Sequence, residues 1–430
     1  MTRSLADWLS YLEQLHPVAI DMGLERAREV LQRLALGRIA PRVFTVTGTN
    51  GKGSTCAFLA SLLCGSGLRV GVYSSPHLLR YNERVQLPEG EASDAQLCAA
   101  FAAVEAARGD VSLTYFEMGT LAAFWLFARA GLDAVVLEVG LGGRLDAVNL
   151  LDADLAVVTS IGVDHVEWLG NSRDSVAVEK AGIFRAGRPV LCGDLDPPSA
   201  LLERARELGC PFLLRGRDFD LACGEQGWHW RGQSTAGQAL ELHDLPLLDL
   251  PMENAALALQ AFACLDLPWQ AEALAAALQR TRIAGRLERH VLHWQGRPLQ
   301  LLLDVGHNPH AAEYLARRLA QRPPRGRRLA VFGLLGDKEL DGVIAPLQNL
   351  VAHWAVAPLP SPRSRSAEEL QAALRERGAS VAGWPSVAAA LEAVAMQATA
   401  DDEILVFGSF YCVADALLWL AQHAQSGGER

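Results

Sequence analysis

Between residues 42 and 215, short unbroken apolar runs alternate with longer stretches in which apolar positions recur every three or four residues. Unbroken runs bounded by turn residues read as strands buried on both faces, and the longer period reads as helices packed against them. Together they predict parallel strands joined by crossover helices. Strands are expected at 43–46, 70–73, 134–139, 155–160 and 190–192, and helices at 51–63, 93–107, 116–130, 172–183 and 199–208.

From 219 to 250 the pattern breaks into short segments around Trp228, His229 and Trp230, which suits a small antiparallel excursion better than another strand–helix unit. Helices are expected at 254–265 and 270–280. A second series then begins, with strands at 299–304, 328–332, 354–356 and 404–407. The helical period stops at Ala284-Gly285-Arg286, where a glycine precedes new strand material and marks a linker. The expected fold class is therefore α/β. It comprises an N-terminal P-loop-type domain over 1–285, with a mostly parallel sheet and the antiparallel excursion, and a smaller Rossmann-like C-terminal α/β domain over 286–430. The Pro/Arg/Ser-rich stretch 358–366 reads as a surface loop.

Composition narrows the class. A chain of 430 residues exceeds one ordinary hydrophobic core, and half of it is apolar against one-fifth charged, so two well-filled domains are feasible. The net charge of −10 argues against a nucleic-acid binder, which needs a positive surface, but leaves room for a local anion site built from backbone amides and a few cations. The eight cysteines include no C-x-x-C pair and fit a reduced core, hence a cytoplasmic setting. No signal peptide is apparent. The longest apolar stretch, 121–141, is broken by Arg129, Asp133 and Glu138, so no membrane partner is expected.

The strand ending near Val46 leads into Gly48-Thr49-Asn50-Gly51-Lys52-Gly53-Ser54-Thr55 and then a helix. Amides at that helix start would converge on an anion, Lys52 would neutralise phosphate charge, and the hydroxyls of Ser54 and Thr55 could reach phosphate or magnesium. The strict P-loop spacing is not met, because Val46 stands where its first glycine belongs and Gly53 follows the lysine. Three more polar clusters follow strand ends, where open parallel sheets place ligands: Ser74-Ser75-Pro76-His77, Glu138 with Gly140 to Asp146, and Ser160 to His165. Oxygen from Ser75, carboxylate from Glu138 and imidazole from His165 would suit magnesium. Each also has an ordinary reading, as a helix cap or a hydrogen-bonded side chain. Lys180, late in an amphipathic helix, reads by itself as a solvated lysine favouring the helix C-terminus. In the second domain, Asp304-Val305-Gly306-His307-Asn308-Pro309 is equally a ligand loop or an Asn-Pro helix entry.

Taken in order, these clusters resemble the Mur ligase superfamily, and within it the folate-forming ligases, over nearly the whole chain. Further markers are Tyr115-Phe116-Glu117, Asp164-His165, Lys180-Ala181-Gly182, Asn254, Gly285-Arg286-Leu287-Glu288 and Gly408-Ser409. The resemblance implies that Gly48 to Thr55, Asn254, Arg286 and Asp304 hold ATP, with the second domain closing over it. It implies that Ser75, Glu138 and His165 hold magnesium, and that Lys180 is carbamylated and binds a second ion. Lys52, Lys180 and His165 are the implied catalytic residues. Asp21, Met22, Gly23 and Leu24, with Thr114, Tyr115, Phe116, Glu117, Asp146 and Ala147, are implied to hold the pteroate. His307 and Ser409 are implied for the incoming glutamate, and the enzyme is expected to be a monomer.

The implied activity is ATP-dependent addition of L-glutamate to dihydropteroate and to tetrahydrofolate through an acyl phosphate. The alternatives are a ligase restricted to polyglutamylation, a cell-wall Mur ligase, and a nucleotide-gated binding protein that does not ligate. The resemblance of residues 21–24 to a pterin-holding loop argues for the first reading.

Overall fold

In the computed structural model, which describes residues 3–18 and 20–426, the chain separates into two units, Met1–Arg282 and Ile283–Arg430. The first unit begins with helices α1 (Leu5–Gln14) and α2 (Glu25–Leu34), strand β1 (Val43–Thr47) and helix α3 (Lys52–Gly65). Strands β2 (Val70–Tyr73), β3 (Val85–Leu87) and β4 (Gly90–Glu91) follow, then helices α4 (Asp94–Arg108) and α5 (Tyr115–Phe127). Next come β5 (Ala134–Glu138), β6 (Leu155–Val158), α6 (Val166–Leu169), α7 (Arg173–Ala181), β7 (Val190–Cys192), α8 (Ser199–Glu207) and β8 (Phe212–Leu214). The unit ends with β9 (Asp220–Cys223), β10 (Trp228–Gln233), β11 (Ala239–Leu245), α9 (Met252–Ala263) and α10 (Ala271–Arg280).

The strands lie in the order β4-β3-β2-β5-β1-β6-β7-β8, parallel from β2 to β8, with β3 and β4 antiparallel at one edge. Every residue of β1, β5, β6 and β7 is buried, as expected of strands covered by helices on both faces. Their apolar runs therefore identified them in the sequence. Helices α1 and α2 and strands β3 and β8 carried no such run and were not anticipated. α1 buries only Trp8 and Leu12, and α2 only Ala27 and Val30.

The antiparallel excursion is the three-stranded sheet β11-β10-β9. Its buried Trp230 donates from the indole to the Ala256 carbonyl at 3.0 Å, docking the sheet on α9. Helix α9 packs in turn against α3, which links the excursion to the helix that follows the glycine-rich loop.

The start of α5 is fixed by a reciprocal cap. Glu117 N donates to Thr114 Oγ1 at 3.2 Å, and Thr114 N donates to the Glu117 carboxylate at 2.8 Å. Both residues are buried, so water cannot replace these bonds. Thr114→Ala is expected to lower stability by about 1 kcal/mol, measurable as a lower denaturation midpoint.

In the second unit, β12 (Glu288–Trp294) and β13 (Arg297–Asp304) form a hairpin whose connecting residues, Gln295 and Gly296, both have positive φ. Helix α11 (Pro309–Gln321) and strands β14 (Arg328–Phe332), β15 (His353–Val356), β16 (Val381–Gly383) and β17 (Glu403–Phe407) complete the order β12-β13-β17-β14-β15-β16. All pairings except that hairpin are parallel. The half-exposed β12, with Glu288, Arg289, His290 and His293, lacks the apolar run that revealed β13, and β16 is too short to have one. All eight cysteines are free, and among the described residues no helix is long and apolar enough to cross a membrane.

Candidate active site

The glycine-rich loop joins β1 to α3 and is pinned to the exit of β6. Thr49 N donates to the Ser160 carbonyl at 2.9 Å, and the Thr49 hydroxyl pairs with Gly162 through both N–H and C=O, each at 2.9 Å. The Asn50 carbonyl accepts from Thr159 Oγ1 at 2.6 Å and from Ser160 Oγ at 3.1 Å. Gly51 has φ 86°, and a Cβ there would stand 2.7 Å from Asn254 Oδ1; at Gly48 a Cβ would meet Thr159 Oγ1 at 1.8 Å. The two glycines therefore serve both a left-handed turn and a close approach that any side chain would block. Asn254, on α9, donates to Ser54 Oγ at 2.6 Å. Lys52 Nζ folds back to the carbonyls of Gly48 at 2.9 Å and Thr49 at 3.3 Å, at the mouth of the loop. Thr55 Oγ1, at the start of α3, is buried without a hydrogen-bond partner among the described residues.

The adjacent strands β2, β5, β1 and β6 end on one edge of the sheet and carry the clusters expected from the sequence. Ser75, just beyond β2, donates its N–H to Glu138 Oε2 at 3.2 Å. Glu138, the last residue of β5, is buried, and a Cβ on Gly53 would lie 3.7 Å from both its carboxylate oxygens. Its carboxylate thus faces the first turn of α3. His165, beyond β6, is exposed and left-handed at φ 51°. Among the described residues no three His, Cys, Asp or Glu side chains converge as a metal site. The set Ser75, Glu138 and His165 nevertheless fits magnesium, which takes few protein ligands and completes its shell with phosphate and water; in the first turn of α3, which Glu138 faces, the buried hydroxyl of Thr55 is a further oxygen with no partner among the described residues.

Lys180 corrects its solvated reading. It is 2 % exposed, on α7, and its ammonium makes no salt bridge or hydrogen bond among the described residues. Burial, reinforced by Lys52, pulls its pKa down to about 7 against the attraction of Asp164 and Asp146. The segment that covers it is the loop after β5. Arg144 N donates to the Glu179 carbonyl at 2.8 Å and Arg144 Nη2 pairs with the Glu179 carboxylate at 2.7 Å; a Cβ on Gly143 would lie 3.2 Å from Lys180 Cα.

In the same loop, Asp146 caps the turn at Ala147. Its carboxylate accepts from Leu141 N at 2.8 Å and from Val148 N at 2.9 Å, while burial raises its pKa to about 6. A Cβ at Gly140 would meet Phe116 Cζ at 2.7 Å and Asp146 Oδ2 at 3.3 Å, so Phe116 and Asp146 flank one point of the loop. A Cβ at Gly142 would lie 3.8 Å from Met22 Cε. Arg26 ties the segment Asp21-Met22-Gly23-Leu24 to α5, reaching Asp21 Oδ2 at 2.6 Å and Glu117 Oε1 at 3.1 Å. The structure therefore gathers residues 21–24, Phe116 and Asp146. Thr114 and Glu117 are occupied by the cap and by Arg26, and position Tyr115 and Phe116.

In the second unit, Asp304 ends β13, buried, with its carboxylate accepting from Leu287 N at 3.0 Å and Gly306 N at 2.8 Å. Burial raises its pKa, opposed by Arg286. Arg286 lies 5.7 Å from the Phe410 ring centre, and His307 6.2 Å from it. Ser409 follows the adjacent strand β17, and its Oγ accepts from Cys412 N at 3.3 Å. Asn308 is the cap of α11, with Pro309 opening the helix, so the helix-entry reading of those two residues holds.

Residues 46–213 match the family described as Mur ligase, middle domain, and 285–410 that described as Mur ligase, glutamate ligase domain. The chain is 46% identical over 425 residues to the dihydrofolate synthase/folylpolyglutamate synthase of Escherichia coli strain K12, spanning 99% of this chain and 97% of that one. The chain belongs to the dihydrofolate synthase/folylpolyglutamate synthase family. Among solved structures, E. coli FolC in complex with DHPP and ADP superposes with a TM-score of 0.91 at 45% identity, covering 98% of each chain. A bifunctional folylpolyglutamate synthase/dihydrofolate synthase with Mn, AMPPNP and L-glutamate bound gives a TM-score of 0.88 at 45% identity, again over 98% of each chain.

Arg26, Arg84 and Thr159 border these clusters but carry no mark in the sequence. Arg26 sits in an otherwise ordinary amphipathic helix, and Thr159 looked like the end of a strand. Arg84 precedes the short β3, where no pattern was visible; its Nε donates to His77 Nδ1 at 2.7 Å. Burial and that guanidinium together hold His77 down at about 4.

Proposed function

We infer that this chain is a bifunctional ATP-dependent ligase that adds L-glutamate to dihydropteroate, giving dihydrofolate, and to tetrahydrofolate, extending its glutamate chain. The observation that carries the reading is the convergence of the Gly48–Thr55 loop, Ser75, Glu138 and buried Lys180 around one edge of the parallel sheet, beside the wall made by residues 21–24, Phe116 and Asp146. Relatives of the same family hold ADP with DHPP, or an ATP analogue with manganese and L-glutamate.

A carboxylate is a poor electrophile, so the acceptor carboxylate oxygen first attacks the γ-phosphorus of ATP. The bond to the β–γ bridging oxygen breaks and ADP leaves. The glutamate amine then attacks the acyl carbonyl and loses a proton. The tetrahedral intermediate collapses with phosphate as leaving group, and the amide remains. Lys52 and the α3 amides neutralise charge on the transferring phosphoryl group, mainly by position. Ser75, Glu138 and His165 would hold magnesium, and carbamylated Lys180 a second ion, which would supply further charge neutralisation. Asn254 orders the loop through Ser54, and the Gly48–Thr55 segment, Arg286 and Asp304 are assigned to the nucleotide. His307 and Ser409 are assigned to the incoming glutamate. Eight free cysteines suit a reducing cytoplasm, and the reading takes the enzyme as a monomer.

The test is glutamate-dependent ADP release with each acceptor. Release with both dihydropteroate and tetrahydrofolate is the expected result; release with tetrahydrofolate alone reduces the chain to a polyglutamylating ligase, and release with neither overturns the folate reading. Acceptor carboxylate labelled with heavy oxygen is expected to pass label to inorganic phosphate. An unlabelled phosphate would exclude the acyl phosphate.

A further inference from the structure

We propose that Arg84 is the clamp by which the single acceptor site distinguishes its two acceptors, holding the carboxylate of tetrahydrofolate's glutamate that does not react. The proposal rests on the acceptor site described above. The two acceptors differ in charge at the reacting end. Dihydropteroate presents one carboxylate, which becomes the acyl phosphate. Tetrahydrofolate ends in a glutamate with two, so a second anion must be accommodated beside the reaction while the first is consumed. A cation is needed for that acceptor only.

Arg84 stands where such a cation belongs. Its carbonyl accepts from Ser74 N at 3.0 Å, one residue from Ser75, whose own N–H bonds Glu138. Its side chain leads toward the start of α5. The guanidinium lies 5.3 Å from the ring centre of Tyr81 and 5.6 Å from that of Tyr115, next to Phe116 in sequence; Tyr115 and Tyr81 meet edge to face at 5.8 Å, and Tyr73 packs 6.0 Å from Phe116. Arg84 therefore bridges the strand end that carries Ser75 to the aromatic wall of the acceptor site.

What sets it apart is its pairing. Most partly buried arginines of this unit meet carboxylates: Arg26 meets Asp21 and Glu117, Arg108 meets Glu105, Arg173 meets Asp194, Arg185 meets Asp152 and Arg215 meets Asp220; Arg42, beside β1 and away from the acceptor wall, is the other exception among the described residues. Half-buried Arg84 has no carboxylate within salt-bridge distance among the described residues. Its neighbours are the neutral Nδ1 of His77, which takes only the Nε proton, and the hydroxyl of Tyr73. A guanidinium has five N–H donors in a planar fork, and a carboxylate fits the fork with two parallel bonds. The tyrosine rings flank this fork and half-bury it, and partial withdrawal from water strengthens a charge-assisted pair made there.

The test compares kcat/KM for the two acceptors in the full-length enzyme and in Arg84→Gln and Arg84→Lys. Arg84→Gln is expected to shift the ratio against tetrahydrofolate by about ten-fold or more, chiefly through KM, as for loss of a charge-assisted hydrogen bond. Arg84→Lys, which keeps charge and bulk, is expected to restore part of the ratio. A loss shared equally by both acceptors, or no change with either, overturns the clamp. Phe116→Ala serves as the companion variant, expected to raise KM for both acceptors. If it does so while Arg84→Gln is unselective, the acceptor wall stands and the clamp alone falls. Should it change neither KM, the acceptor-site reading falls and the clamp with it.

Discussion

Replacing Lys52 with alanine is expected to lower kcat for glutamate ligation about a thousand-fold or more, with either acceptor, while the enzyme still folds. The size of the effect follows from where charge moves. When the acceptor oxygen displaces ADP, negative charge redistributes over the γ-phosphoryl oxygens and the leaving oxygen, and a fixed cation stabilises that state more than the ground state. Lys52 is the first residue of α3 and is held at the loop mouth by the carbonyls of Gly48 and Thr49, so its position is set before any nucleotide arrives. The fold does not depend on it in the same way. The loop keeps its bonds from Thr49 N to the Ser160 carbonyl and from Thr159 and Ser160 to the Asn50 carbonyl. Glutamate-dependent ADP release and a thermal melt measured on the same preparation distinguish the two roles. A variant that keeps kcat within ten-fold of the parent, or loses activity only because it melts, sinks the phosphoryl-transfer role.

Lys180→Met is expected to cost about a hundred- to a thousand-fold in kcat, and a short carboxylic acid such as formate is expected to restore part of it. Burial sets the chemistry of this lysine. A lysine 2 % exposed with no paired carboxylate is an expensive way to place a positive charge, and the site responds by drawing the amine toward its neutral form. A neutral amine attacks carbon dioxide; a proton is released and an anionic carbamate remains, which turns the penalty for burying a cation into a ligand for a metal ion. Methionine has a stem matching that of lysine as far as Cε, with sulfur in place of one methylene, and lacks the nitrogen; the close approach of Gly143, which is to the Lys180 Cα, is left unchanged. The carbamate itself is expected as a carbon resonance in active enzyme equilibrated with labelled bicarbonate and absent from Lys180→Met. An active parent enzyme with no such resonance would falsify the modification.

Those two lysines mark how far the chain could be read without its fold. The motif around Lys52 was legible because its chemistry is local: an apolar strand, glycines, a lysine and hydroxyls within a few residues dictate a turn whose amides point at an anion. Lys180 was legible only through the family resemblance, since by its local pattern a lysine late in an amphipathic helix looks solvated until the loop carrying Gly143 and Arg144 is packed over it. Asp21 to Leu24 and Phe116 could be named from family resemblance, yet Arg26, which ties them together through Asp21 and Glu117, bears no mark in the sequence.

The sequence by itself determined the elements whose cause is nearest-neighbour chemistry: the fully buried strands β1, β5, β6 and β7, the glycine-rich turn, the Thr114–Glu117 cap and the α/β class of both units. Tertiary structure decided what depends on strand order. Only the sequence β2-β5-β1-β6 across the sheet brings Ser75, Glu138, the phosphate loop and His165 to adjacent strand ends. It also decided which charged side chains are withdrawn from water without an opposite charge beside them, and so buried Lys180 and set half-buried Arg84 against the neutral groups of His77 and Tyr73. A side chain's charge state and reach are set by its distant neighbours, and chain order does not reveal those neighbours until the chain has folded.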